Sequence, residues 1–211
     1  MEKSYKSLGY FLLLLVPLTI AGFFKTYINQ FPKFNENING FIHIHTFIAT
    51  LWIVLLIVQP FLIVYKKWRL HRNLGKVSYV LFPLLILSFI PQMIKVANSD
   101  QPKNLFFPLA DSTLLILFYT LAIYHKKNSS KHMRYMIAIA LVFLGPTFGR
   151  IGPILLGWSS LFTQNILYLI VYAVLVSLMV YDKRNGKKYQ PYVTATVCFL
   201  MHQIVYHIVF L

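Results

Sequence analysis

The sequence has few acidic residues and a single cysteine, and these scarcities exclude several classes of protein. Five Asp and Glu stand against 20 Lys and Arg, which gives a formal net charge of +15 over 211 residues. Charged residues make up only 12% of the chain, so a water-soluble domain of this size would lack the polar surface that it needs. The cations form short clusters between long apolar runs, a pattern that argues against nucleic-acid binding. Cys198 alone cannot form an intrachain disulfide.

Motifs of several familiar chemistries are also missing from the sequence. It contains no Gly-rich phosphate loop, no CxxC pair and no HExxH zinc motif. The last apolar segment has no lysine that could hold a retinal Schiff base, and no segment carries the repeated arginines of a voltage sensor. These absences leave the polar residues inside the apolar segments as the features that could indicate function.

Long apolar runs dominate what is present, and 58% of the residues are hydrophobic. Segments near the ~20 residues that cross a bilayer must be helical, because lipid cannot satisfy backbone hydrogen bonds. The first segment follows basic residues as a signal peptide would, but Thr19-Ile20-Ala21 is a poor cleavage site, so we count it as a span. The sequence thus predicts one all-α membrane domain over residues 1–211, with seven spans. These spans are about 8–24, 41–65, 75–96, 105–124, 133–152, 161–181 and 190–211.

The distribution of cations predicts the orientation of the chain. With seven spans, fifteen of the 20 cations lie on the side of the N-terminus and five lie on the other side. The positive-inside rule then places the N-terminus in the cytoplasm and Leu211 outside, as in a bacterial inner-membrane protein. The basic cytoplasmic face is suited to anionic lipid headgroups. Its cations are Lys3, Lys6, Lys66, Lys67, Arg69, Arg72, Lys76, Lys126, Lys127, Lys131, Arg134, Lys183, Arg184, Lys187 and Lys188.

Ionisable residues inside the predicted spans indicate a possible site, because hydrocarbon makes each of them costly. Asp111 is the only acid within a predicted span, and residues of four spans fall in the same outer half of the membrane. Helical spacing also places His45, Trp52 and Gln59 on one stripe that should face the protein interior. We predict a polar cavity in that half of the membrane. Its lining would be His45, Gln59, Asp111, Arg150 and His207, with His202 adjacent.

The stretch from Gly145 to Pro153 predicts a break or kink in the fifth span. Prolines remove backbone donors, and glycines let helices approach one another closely. Broken helices often line binding cavities in membrane proteins, whereas a packing site that ends in an interfacial arginine would use the same residues. Both interpretations remain open.

The order of these motifs resembles an uncharacterised family of bacterial multipass proteins with an HRxLG signature. His45, Trp52 and Gln59 precede His71-Arg72-Asn73-Leu74-Gly75, and Asp111, His132-Met133-Arg134 and the Pro146/Arg150 pair follow. The resemblance covers residues 41–152 and brings no established activity.

A second resemblance is to transmembrane b-type cytochromes of the ascorbate-reductase kind, and it rests on His45/Gln59 and His71/Gly75. It implies haem b held between paired histidines of facing helices, and hence electron transfer or redox sensing. The outer pair would be His45 with His207 or His202. The inner pair would be His71 with His132, and Arg72 and Arg134 would lie near the propionates.

Two other functions compete with haem binding. The chain also resembles the ceramidase and adiponectin-receptor group, which implies an intramembrane hydrolase with a metal held by His45, Asp111, His202 and His207, and with Ser112 beside Asp111. The histidines at 202 and 207 are five residues apart, however, a spacing that puts them on different faces of a helix. The non-catalytic alternative is a packing, lipid-binding or transport subunit in which Asp111 and Arg150 form a buried ion pair.

Overall fold

The computed structural model describes residues 5–34 and 38–211, and within these ranges the chain is helical with no strand. Six helical stretches are long and apolar enough to cross a membrane. The all-α class is therefore confirmed, and the stretches are compatible with an integral membrane protein. They are Gly40–Val64, Trp68–Ala97, Pro102–Tyr124, Ser129–Leu155, Ser160–Arg184 and Gln190–Phe210.

The predicted first span is shorter than the other six. It consists of α1 (Leu8–Leu13) and α2 (Leu15–Phe23), which form a short apolar stretch over Leu8–Phe23. At 1.5 Å per residue such a stretch reaches about 24 Å, less than the ~30 Å of a hydrocarbon core. The count of seven spans and the orientation of the termini are not confirmed. Lys3, which entered the orientation argument, lies outside the described residues.

The chain divides into one unit that ends at Pro108 and one that begins at Leu109. In the first unit, α3 (Gly40–Val64) and α4 (Trp68–Leu87) pack as a hairpin, and α5 (Ile90–Ala97) follows a break after α4. The side chain of Asn39 caps α3 by accepting from the backbone N–H of Ile42. Helix α4 begins seven residues before the predicted span at 75, because its first two turns are basic and hydropathy alone does not detect them.

The second unit contains most of α6 (Phe106–Tyr124) and four further α-helices in its described residues. They are α7 (Ser129–Val142), α8 (Leu144–Arg150), α9 (Ser160–Arg184) and α10 (Gln190–Phe210). Helix α9 packs against α8 and α10, and α7 packs against α10. Asn128 and Ser159 cap α7 and α9 through their side-chain oxygens. Gly186, with φ of 62°, provides the turn between α9 and α10.

The predicted interruption of the fifth span is confirmed. Helix α7 ends at Val142, α8 ends at Arg150, and a π-helical turn follows over Ile151–Leu155. The backbone of Gly152 lies so close to α9 that a Cβ there would be 2.1 Å from Thr163 Oγ1. Only glycine permits this approach, so the interrupted segment is held tightly against α9.

Candidate functional site

Three polar residues of the second unit lie at a similar depth in their helices. Asp111 stands five residues after the start of α6, and Tyr168 stands eight residues after the start of α9. His202 stands eight residues before the end of α10. Successive helices alternate in direction, so all three residues lie roughly 8–12 Å inside the same end of this unit. We refer to Asp111, His202 and Tyr168 as the Asp111 cluster.

The imidazole of His202 connects the other two side chains of the Asp111 cluster. Its Nδ1 shares a 2.8 Å hydrogen bond with the Tyr168 hydroxyl, and its Nε2 lies 3.5 Å from Asp111 Oδ1. The side chains of His202 and Asp111 are 6% and 17% exposed, and Tyr168 is 2% exposed. A carboxylate, an imidazole and a phenol from three helices are therefore in contact in a mostly buried position.

The interrupted helix lies directly against the carboxylate of the Asp111 cluster. A Cβ at Gly145 of α8 would be 3.4 Å from Asp111 Oδ2, which is ordinary van der Waals contact. One turn beyond Tyr168 on α9, the Tyr172 hydroxyl donates to Gln203 Oε1 at 2.7 Å. The surroundings thus combine a close backbone segment with further polar groups between α9 and α10.

The other residues predicted for this half of the second unit contact their own helices. Arg150 Nη1 donates to the carbonyl of Pro146 at 2.7 Å, and His207 Nδ1 donates to the carbonyl of Gln203 at 2.9 Å. Asp111 has His202 as its ionisable contact. The ion pair predicted between Asp111 and Arg150 stays a prediction.

In the first unit, the predicted stripe on α3 faces α4. Trp52 is fully buried, and His45 Nδ1 shares a 2.8 Å hydrogen bond with Ser88 Oγ at the break that follows α4. Gln59 Nε2 donates to the carbonyl of His71 at 3.3 Å, in the first turn of α4. Gln59 lies fourteen residues beyond His45, about 21 Å along the helix, so it is at the other end of the hairpin. A common cavity of these residues with those of the second unit stays a prediction.

A buried ion pair that the sequence did not predict lies at the opposite end of the second unit. Arg134 of α7 donates from Nε and Nη2 to the two carboxylate oxygens of Asp182 at 2.6 and 2.7 Å, and both side chains are fully buried. Arg134 Nη1 also donates to the carbonyl and hydroxyl oxygens of Ser130, and its guanidinium lies 5.8 Å from the Tyr192 ring. We refer to Arg134, Asp182, Ser130 and Tyr192 as the Arg134 cluster.

The Arg134 cluster was not predicted, because Asp182 lies one residue beyond the predicted sixth span. The structure continues α9 to Arg184, which brings Asp182 inside the helix. The scarcity of acids was the usable signal, since an acid next to an apolar segment in so basic a chain needs a cationic partner. Tyr168 gave no comparable signal among 14 tyrosines.

The predicted haem ligands differ in which of their ring nitrogens contact protein groups. His202 Nδ1 is hydrogen-bonded to the Tyr168 hydroxyl and its Nε2 lies 3.5 Å from Asp111 Oδ1, and a role for His202 as an axial haem ligand stays a prediction. His132 Nδ1 donates to the carbonyl of Ala122 at 2.9 Å, an orientation in which Nε2 would be the ligating atom, as in His207. Each predicted haem pair, His45 with His207 and His71 with His132, takes one histidine from each unit. Both pairs stay predictions.

A metal-dependent hydrolase has little support from the described residues. Among them, no group of three or more His, Cys, Asp or Glu side chains could hold a metal ion. The hydroxyl of Ser112 donates to the carbonyl of Leu109 in its own helix at 3.0 Å. Ser112 is therefore engaged as an ordinary helix residue.

Comparison with known proteins gives no independent assignment. No family model matches the chain, and no curated protein and no solved structure shows significant similarity to it. The resemblances drawn from the sequence motifs remain predictions, and the geometry of the chain itself has to support any proposed function.

Proposed function

We propose that this chain is a membrane transport protein that binds and moves protons at the Asp111 cluster. The single observation that supports the proposal is the contact series from the carboxylate of Asp111 through both nitrogens of His202 to the phenol of Tyr168. We place the protein in a bacterial inner membrane, as the distribution of cations predicts.

The chemistry of the three groups suits the handling of a proton. Imidazole can hold a proton on either nitrogen or on both, and its ordinary titration range lies near neutral pH. When a neutral His202 gains one proton, its contact with Asp111 becomes an ion pair. When the proton leaves, a carboxylate faces a neutral ring. The pair thus changes its net charge by one inside an apolar layer, where such a change is energetically large.

The position of α8 offers a way to couple that change in charge to movement. Gly145 lies against the carboxylate of Asp111, and α8 continues into the π-helical turn that follows Arg150. Interrupted helices at the binding site are a recurring feature of transporters, since their free backbone groups can rearrange around a bound ion. A proton on the Asp111 cluster would therefore alter the electrostatics that α8 experiences.

Reconstituted vesicles provide the test. The purified protein is placed in liposomes that contain a pH-sensitive dye, and a potassium diffusion potential set by valinomycin draws protons inward. We expect faster acidification than in empty liposomes. Asp111→Asn should reduce the rate to that of empty liposomes, because the neutral amide cannot form the ion pair that stabilises a proton on His202. Equal rates for the wild-type protein and empty liposomes would reject the proposal.

A matched control separates the role of Asp111 from a general loss of acidic charge. Asp100 is exposed after α5, so Asp100→Asn makes the same chemical change away from the Asp111 cluster. We expect Asp100→Asn to keep the wild-type rate. If Asp111→Asn keeps it as well, or if both variants lose it, the assignment to the Asp111 cluster is wrong.

A further inference from the structure

The turn between α3 and α4 and the start of α4 carry a dense group of cations. No acidic residue occurs from residue 37 to residue 99, so nothing nearby in the sequence neutralises them. All of them are exposed to the surroundings. The group consists of Lys66, Lys67, Arg69, Arg72 and Lys76.

Three of these cations lie on one face of α4. Arg69, Arg72 and Lys76 are spaced by three and four residues, so they fall within an arc of about 60° over two turns of the helix. The opposite face of α4 is buried against the rest of the first unit, and it presents Ser78, Leu81, Phe82 and Leu85. The cationic face is therefore directed away from the core of the first unit.

The same face of α4 becomes apolar as the helix continues. Tyr79 follows Lys76 by one turn and is 44% exposed, and Val80, Leu84 and Leu87 then extend the face and are also exposed. From Lys76 to Leu87 the helix rises about 16 Å, close to half the ~30 Å thickness of a hydrocarbon core. Cations, an aromatic residue and then apolar residues succeed one another in the order of a phospholipid's headgroup, interface and acyl chain.

Two exposed aromatic residues flank the cations at the turn. Tyr65 is 63% exposed and Trp68 is 47% exposed. Lys66 between them has φ of 59°, and Lys67 donates its backbone N–H to the carbonyl of Leu62 at 2.7 Å. Tyrosine and tryptophan prefer the membrane interface, so these rings fix the headgroup level at the start of α4.

We infer that an anionic phospholipid binds along α4. Its phosphate is held by Arg69, Arg72 and Lys76, and an acyl chain lies on Val80, Leu84 and Leu87. Charge complementarity favours an anionic lipid, because the three cations attract a headgroup of net negative charge and repel the ammonium group of a zwitterionic one. The inference is independent of the Asp111 cluster, which belongs to the other unit.

Native mass spectrometry of the detergent-purified protein tests the inference with phosphatidylglycerol and with phosphatidylcholine of the same acyl chains. At about 1 kcal/mol per cation and a factor of ten per 1.4 kcal/mol, three cations correspond to roughly a 100-fold preference for phosphatidylglycerol. The triple variant Arg69→Gln, Arg72→Gln and Lys76→Gln should bind the two lipids about equally.

The matched control removes three exposed cations elsewhere, by Lys183→Gln, Arg184→Gln and Lys187→Gln. Lys183 and Arg184 are adjacent in sequence and Lys187 follows the Gly186 turn, so they do not share one helical face. We expect this control to keep the preference for phosphatidylglycerol. Retention of the preference in the α4 variant, or an equal loss in both variants, would overturn the inference.

A second measurement tests the acyl part of the inference. Glycerophosphoglycerol is the headgroup without acyl chains, and inorganic phosphate is the anion alone. Neither should displace bound phosphatidylglycerol at matched concentration, because neither covers the apolar part of the α4 face. Displacement by either compound would show that α4 has an anion site and no lipid site.

Discussion

The Arg134 cluster and the Asp111 cluster both pair an acid with a base from two different helices of the second unit, yet they differ in geometry. Arg134 and Asp182 form two parallel hydrogen bonds at 2.6 and 2.7 Å, and both side chains are fully buried. His202 and Asp111 form one contact at 3.5 Å, and the Asp111 side chain keeps 17% exposure. The pair of Arg134 and Asp182 is inaccessible to solvent, whereas the pair of His202 and Asp111 has a longer contact and remains partly accessible.

The two bases also differ in what they can do chemically. A guanidinium stays charged at any physiological pH, so the pair of Arg134 and Asp182 keeps one state. An imidazole can be neutral or protonated, so two charge states are available to the pair of His202 and Asp111. The comparison teaches that a buried acid alone does not indicate function in such a chain. The partner decides whether the charge of the pair is fixed or can change.

The largest effect is expected from breaking the Arg134 cluster. Arg134→Ala leaves the carboxylate of Asp182 buried without its bidentate partner, and such losses cost about 3–5 kcal/mol. Thermal unfolding of the detergent-solubilised variant should show this as a strongly lowered Tm. The double replacement Arg134→Met and Asp182→Leu should recover most of the loss, since it removes both charges together. A Tm for Arg134→Ala close to that of the wild type would contradict the structural role of this cluster.

The next effect concerns two glycines of the interrupted segment. Gly152 lies against Thr163 of α9, and Gly145 lies against Asp111. In Gly152→Ala the new methyl group would lie 2.1 Å from Thr163 Oγ1, and overpacking of this kind costs about 1–3 kcal/mol. In Gly145→Ala the new methyl group would lie at ordinary contact distance from Asp111, so we expect little loss of stability. Combining Gly152→Ala with Thr163→Ala should restore part of the Tm. Equal Tm values for the two single variants would show that α8 is not held against α9 as the structure indicates.

A smaller change in stability, with a clear change in pH response, is expected from His202→Gln. Trp158 follows the π-helical turn, donates its backbone N–H to the Gly152 carbonyl at 3.0 Å and contacts Phe162, so its fluorescence reports on this segment. In the wild type we expect the fluorescence to change with pH, because a proton gained or lost by the Asp111 cluster changes the charge beside α8. His202→Gln should abolish the change, at a cost of about 1 kcal/mol.

Two controls assign that fluorescence signal. Trp158→Phe should remove it, because Trp158 is the tryptophan that contacts the segment after the π-helical turn. His207→Gln, on the same helix, should leave it intact, because His207 bonds to its own helix. If the pH-dependent change in Trp158 fluorescence persisted in His202→Gln, the proposed coupling between the Asp111 cluster and α8 would be wrong.

The smallest effect is expected from Tyr168→Phe, which removes only the hydroxyl that bonds His202 Nδ1. Side-chain hydrogen bonds within membrane proteins average about 0.6 kcal/mol, so the Tm should change little. The midpoint of the Trp158 pH response should shift, because the hydroxyl stabilises one protonation form of the imidazole more than the other. An unchanged midpoint would remove Tyr168 from the Asp111 cluster as a functional member.

Sequence reasoning predicted the helical class and most helix positions, because a bilayer leaves few alternatives for long apolar segments. It also predicted that Asp111 and His202 lie in the same half of the membrane and that the stretch from Gly145 to Pro153 interrupts a helix. Some helices extend past the predicted spans at ends that carry charge. Helix α4 starts at Trp68 and α9 reaches Arg184, because basic residues can extend a helix beyond the hydrocarbon.

The partners of the polar residues could not be predicted from helical periodicity. Periodicity gives the face of one helix, whereas the pairing of His202 with Tyr168 depends on how α9 and α10 are rotated against each other. Gln59 illustrates the same limit. Its stripe with His45 was correct, but its contact is a backbone carbonyl of α4 at the far end of the hairpin.

The hydrogen bond between His45 and Ser88 should not depend on pH, because of where the Ser88 hydroxyl proton goes. The single hydroxyl proton of Ser88 is donated to the carbonyl of Leu85 at 2.6 Å, so His45 Nδ1 must supply the proton of the 2.8 Å contact. This fixes the neutral ring as the Nδ1–H tautomer. Protonation would add a hydrogen only at Nε2, and the bond that ties α3 to the break after α4 would therefore persist in acid and in base alike.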